Sequence, residues 1–253
     1  MSAVDVLMMG MGKIDVHRAA LALPDVAGLQ DRARAIATVE LITGNEWGYE
    51  YVPSDCPGNG GHVLRMREWG RHYVEVHFHE DVGALVFGYD IEAADFNNFD
   101  RATGEKDVWR DILAQIPEGL RHCVWHGEYD EQDHERGDCS GDAEHLSAVT
   151  WRLPSDTAWQ TAQFTVPDWA GNGRDGAWEL CTDLIDPAPR VLTYGIGPQV
   201  REESPAAGDA TEHVMAGRPL TEEVVRALNP ERSLSDLAEA VAAIGTVKPR
   251  SHQ

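Results

Sequence analysis

The 253-residue chain is 42% hydrophobic, enough to bury a substantial core as one large domain or two small ones, which excludes disorder throughout. Its 21 Lys and Arg stand against 43 Asp and Glu, and the net charge of -22 repels nucleic acid phosphates and anionic membrane surfaces. The same field favours a basic protein partner, although acidity of this kind also serves plain solubility.

The opening MSAVDVLMMGMGKIDVHR has an apolar patch but no basic segment before it and no small-residue cleavage site, so no signal peptide is expected. Its two glycines fall short of a dinucleotide fingerprint, which needs a third and a preceding strand. A helix is predicted from about Asp25 through Ile42, with Leu29, Ala33, Ile36, Ala37 and Leu41 at near-helical spacing and Gly44 as a stop. Trp47, Tyr49 and Tyr51 then alternate in a short aromatic strand, closed by the Pro and Gly rich loop from Pro53 to Gly61.

The most patterned stretch runs from His62 to Asp90. Val74, Val76 and Phe78 alternate with Tyr73, Glu75, His77 and His79, the period of a strand with one apolar and one polar face. A two-residue loop of Gly70 and Arg71 would put Arg65 and Arg67 on the face of Val74 and Val76, burying two guanidiniums without partners. A three-residue loop, Gly70 to His72, instead sets Arg67 beside Glu75, Arg65 beside His77, Met66 facing Val76 and Leu64 facing Phe78. With the next turn near Glu80 to Gly83, Leu85, Phe87 and Tyr89 are expected on the apolar face and Ala84, Val86, Gly88 and Asp90 on the polar one. The polar face would then display Arg65, Arg67, Glu75, His77, His79 and Asp90.

Asp107 to Ile116 reads as a short amphipathic helix closed by Pro117. The segment from His126 to Asp142 holds seven carboxylates against the single Arg136 and is expected to be an exposed loop, without the ligand frame of a calcium-binding EF-hand. His145 to Leu153 and Trp159 to Val166 suggest a second hairpin turning at Pro154 to Ala158. Ala177 to Ile185 is predicted helical, Gly197 to Pro219 reads as a surface linker, and two capped helices follow, one after Thr221 and one after Ser233 or Ser235, the last stopping at Gly245. No apolar stretch reaches the roughly 18 to 20 residues of a membrane-spanning helix. The expected fold is α+β, an antiparallel sheet of about five or six strands, meander plus second hairpin, covered by N-terminal and C-terminal helices. Residues 1–200 would form the main domain, and 201–253 a linker and helical pair docked on it.

Cys56, Cys123, Cys139 and Cys181 show no CxxC spacing and no neighbouring His in a zinc-ligand pattern, so the cysteines are read as thiols of a reducing cytoplasm and neither a zinc ribbon nor a redox motif is expected. His77 and His79 offer a weaker metal signal. An HxH pair on one strand face can aim both imidazoles at one ion, with Glu75 as the carboxylate and His62, Asp90 or His126 as a further ligand for a divalent transition metal. Arg65 and Arg67 on that face would repel such an ion and could instead hold an anionic small molecule. No GxSxG, P-loop or complete GxGxxG is present.

The order DRARAIATVEL, EWGYEYV, GALVFGYD, then TWRLPSDTAWQTAQF and RPLTEEVVRALNPERSLSDLAEAVAAIG, resembles uncharacterised proteins common in high-GC actinobacteria, whose layout suggests polymorphic-toxin immunity proteins. The resemblance covers most of the chain and carries no activity with it. The net charge and the absence of catalytic motifs lead instead to an acidic cytoplasmic protein, immunity-like in layout, that neutralises or sequesters a basic protein partner, with a homo-oligomer left open. The contacts would be Asp130, Glu131, Asp133 and Glu135, with Trp125 and Tyr129 beside them. A metal-dependent enzyme built on His77 and His79 is the alternative.

Overall fold

A computed structural model describes residues 15–45, 48–54, 61–66, 72–90, 108–124, 148–162, 177–185 and 205–245. The chain is α+β, with eight helices among the described residues and antiparallel strands that follow one another in the order β1-β2-β3-β4-β5-β6. It forms two compact units: Met1–Leu23, Ser54–Gly61 and Trp69–Thr182 make the first, and Pro24–Pro53, His62–Glu68 and Asp183–Gln253 the second. No helix among the described residues is long and apolar enough to cross a membrane.

The first unit is built on β3 (His72–His79), β4 (Gly83–Asp90), β5 (Ala148–Arg152) and β6 (Gln160–Thr161), each antiparallel to the next. The second hairpin therefore extends the meander, as its Thr, Val and Trp content predicts. The facing of β4 differs from the expectation. His79 pairs with Gly83, Val76 with Val86 and His77 with Leu85, so Leu85 and Phe87 share the face of Glu75, His77 and His79, while Ala84, Val86 and Gly88 join Val74, Val76 and Phe78. The turn holds three residues, Glu80 to Val82, and a difference of one residue moves every following side chain to the other face. Asp90 consequently pairs with His72, in the register set of Val74.

Both faces of this sheet are covered. On one, Leu85, Phe87, Val149 and Trp151 pack with Ile112, Leu113 and Ile116 of α3 (Val108–Gln115) and Leu120 of α4 (Glu118–Arg121). On the other, α1 (Asp15–Ala22) lies against β5 and β6. There His17 Nδ1 is 2.7 Å from the Thr161 hydroxyl. The face expected to meet water is thus core, and Glu75, His77 and His79 are buried with it.

Burial holds the His17 imidazole below its ordinary pKa. The unfolded chain therefore takes up a proton at a pH where the folded chain does not, so this group's stabilisation is complete above about 6.5 and is lost as pH falls through the lowered folded value. Thermal unfolding followed between about pH 7.5 and pH 5 should show a shallower loss of stability in His17→Gln than in the parent. Parallel profiles for the two proteins would contradict this.

The second unit centres on α2 (Val26–Thr43), which Asp25 opens by accepting a hydrogen bond from the Gly28 amide and Gly44 closes at φ 74°. The hairpin of β1 (Tyr49–Pro53) and β2 (His62–Met66) packs on it, as do α6 (Pro205–Met215), α7 (Glu222–Leu228) and α8 (Leu234–Ile244). Being covered on several sides, α2 buries polar residues too. Arg32 Nη1 donates to the carbonyls of Leu184 and Ile185 at the end of α5 (Ala177–Ile185), the second at 2.7 Å. Asn229 Nδ2 donates to the carbonyls of Ile42 (3.1 Å) and Thr43 (3.2 Å), which end α2 without helical partners. Thr221 and Ser233 cap α7 and α8 as expected. The stretch read as a linker, Gly197 to Pro219, instead contains α6, whose Ala207, Ala210, Val214 and Met215 are buried.

Candidate metal centre

In the first unit, the alternation of β3 carries Glu75, His77 and His79 to one face at successive odd positions, with exposures of 4%, 0% and 3%. The His77 ring stacks on Phe87 at 5.5 Å and on His79 at 6.2 Å between ring centroids. The two imidazoles thus stand side by side, as the HxH spacing predicts.

Glu75 is positioned behind His77. One carboxylate oxygen lies 2.7 Å from His77 Nε2, and the other accepts the Tyr73 hydroxyl proton. A carboxylate on one ring nitrogen fixes the tautomer and orients the other nitrogen, Nδ1, which lies 3.5 Å from the Ser54 hydroxyl. Ser54, His77 and Glu75 thus stand in the order of a nucleophile, a base and its orienting acid. The Ser54 distance is nevertheless at the outer limit of a hydrogen bond, too long to activate a hydroxyl in this state.

The third donor comes from elsewhere in the chain. Pro117 ends α3 and starts the single turn α4, and Arg121 Nη2 ties that turn back by donating to the carbonyls of Ala114 and Ile116, both at 3.0 Å. Leu120, with no exposure, anchors the turn in the core. The Cys123 amide then bonds the Leu120 carbonyl, and its Sγ arrives 3.2 Å from His79 Nε2. On the opposite side, Gly61 adopts φ 126°, and a Cβ there would come within 2.0 Å of the Phe78 carbonyl and 3.2 Å of His79 Nδ1. Only glycine passes so close to β3 in that conformation.

His77, His79 and Cys123 each offer a donor atom within 4.8 Å of the others, the only such group of three or more among the described residues. Ligands at zinc distances in a tetrahedron lie about 3.5 Å apart, a spacing that donors within 4.8 Å of one another reach by small rotations about the side-chain bonds. Two imidazoles and a thiolate form a borderline-soft set suited to zinc or copper rather than to magnesium or calcium. Cys123 is disulfide-bonded here, and Cys181 is buried and outside any disulfide.

Several sequence expectations are corrected or fall elsewhere. The reading of all four cysteines as thiols fails at Cys123, which is disulfide-bonded, and its place beside His77 and His79 is not visible in the sequence because spacing rules detect only groups that are close in sequence. His62 stacks flat on Tyr51, ring centroids 5.0 Å apart, and does not complete the His77 group. Arg65 is held by Glu50 of β1 at 2.8 Å. Arg67, Trp125, His126, Tyr129, Asp130, Glu131, Asp133 and Glu135 lie outside the described residues. In the second unit a cleft of about 350 Å³ is lined by Glu40, Tyr49, Tyr51, Arg232 and Ile244. Its carboxylates are already engaged, Glu40 by Asn45 at 2.7 Å and Glu50 by Arg65.

No family model, no curated protein and no solved structure matches this chain.

Proposed function

We infer that this chain is a transition-metal-binding protein in which His77, His79 and reduced Cys123 hold a borderline-soft divalent ion, zinc by preference. The observation that carries the reading is the convergence of these three buried donors, with Glu75 bracing His77 from behind. Burial argues for a structural or regulatory centre over a hydrolytic one, because an ion that activates water needs a coordination position open to solvent. The residues of this chain supply the tautomer, the orientation and the dry walls.

Cobalt(II) titrated into the reduced full-length chain tests the reading. Tetrahedral coordination should give intense visible bands, with a near-ultraviolet thiolate-to-cobalt transition that Cys123→Ser abolishes. His79→Ala should weaken binding at least about 100-fold, as expected on losing one ligand of three. Identical spectra for parent and variants, each shown to be folded by circular dichroism, would refute the assignment.

A second reading rests on the net charge of -22 and on the immunity-like layout: a cytoplasmic protein that sequesters a basic protein partner through fast electrostatic encounter. The two readings are compatible, since a buried ion can stiffen a scaffold whose surface does the binding.

A further inference from the structure

Cys123 is engaged in a disulfide, yet its Sγ belongs to the cluster that would ligate an ion. A disulfide sulfur is a poor ligand, whereas a thiolate is among the strongest for zinc. The two oxidation states of one residue therefore change the donor set from two imidazoles to two imidazoles plus a thiolate. We propose that thiol–disulfide exchange at Cys123 gates the metal centre, which is closed to the ion when oxidised and loaded when reduced. The proposal rests on the metal-binding reading above and adds its regulation.

The burial of Cys123 sets its role in the proposed exchange. Cys123 has no solvent exposure, so an incoming thiolate attacks the other sulfur of the bond and Cys123 is the leaving group. A bond forms between the attacking sulfur and that second sulfur, and the electron pair of the original S–S bond departs on Cys123 Sγ. His79 Nε2, 3.2 Å away, stabilises this nascent thiolate by donating its proton in a hydrogen bond. The reductant is a dithiol: its second thiolate displaces the remaining protein thiol, so two electrons pass to the protein and the dithiol closes to a disulfide. The ion then accepts electron pairs from Cys123 Sγ and from one nitrogen each of His77 and His79. Any proton on His79 Nε2 leaves to solvent as it binds. An oxidising disulfide reverses the sequence, taking two electrons and releasing the ion.

The burial is what makes such a gate selective. With His77, His79 and Cys123 at 0%, 3% and 0% exposure, the cluster is closed in the core, and withdrawing the thiolate takes away one of its three donors and the only sulfur among them. Affinity should therefore drop sharply once the thiolate is withdrawn.

The main comparison is of one full-length preparation in two redox states, which no variant's folding can confound. Protein reduced with a dithiol and protein oxidised with a disulfide reagent are each equilibrated with zinc, freed of excess ion by gel filtration, and analysed for zinc and for free thiols. The expected result is about one zinc per reduced chain, at least tenfold less in the oxidised chain, and reloading when the oxidised sample is reduced. Equal loading in both states, still lost in His79→Ala, would overturn the gate while leaving the metal centre standing. No zinc in either state would overturn both.

Discussion

Replacing Glu75 by alanine is expected to destabilise the protein by about 2–6 kcal/mol, the range for two buried hydrogen-bonding groups that lose their shared partner. The carboxylate takes the Tyr73 hydroxyl on one oxygen and faces His77 Nε2 on the other, all three residues being buried. Alanine leaves two polar groups without this partner in a place water does not reach, and each such group costs about 1–3 kcal/mol. Glu75→Gln keeps the size and one acceptor oxygen, so a loss of about 1–2 kcal/mol is expected instead. Urea unfolding of the three proteins measures the difference. Equal stability of the alanine and glutamine variants would show that the carboxylate is not what holds Tyr73 and His77.

Arg32→Met should cost about 3 kcal/mol, although methionine preserves most of the buried volume, because two charge-assisted hydrogen bonds disappear and two carbonyls lose their donor. Those carbonyls belong to Leu184 and Ile185, at the C-terminus of α5, where helical amides no longer reach them. Arg32→Lys should recover only part of the loss, since an ammonium presents a point charge where the guanidinium forks to two oxygens. Stabilities from urea unfolding that place methionine within about 0.5 kcal/mol of the parent would contradict this role, that margin being typical of surface substitutions.

Which features could be read from sequence follows from how local their causes are. The long helix was legible end to end because Asp25 and Gly44 act on their own turns, and the same holds for Thr221, Ser233 and Gly245. The existence of β3 and β4, and the shared side of His77 and His79, follow from a period of two that needs no partner. The facing of β4 does not, because it hangs on whether the turn has three residues or four. Nor could alternation reveal that both faces are covered, so the polar row looked like a surface when it lies beneath α3 and α4. Cys123 escaped notice because 44 residues separate it from His79 and only the α3–α4 corner brings it back. In α6, the run of alanines and Gly208 gave too weak an apolar stripe to distinguish a helix from a linker.

X-ray absorption at the zinc edge of the reduced, zinc-loaded chain reads whether nitrogen and sulfur ligands meet at His77, His79 and Cys123. The expected first coordination shell is mixed, with nitrogen at about 2.0 Å and sulfur at about 2.3 Å. A shell of nitrogen and oxygen alone, or of sulfur alone, would contradict it.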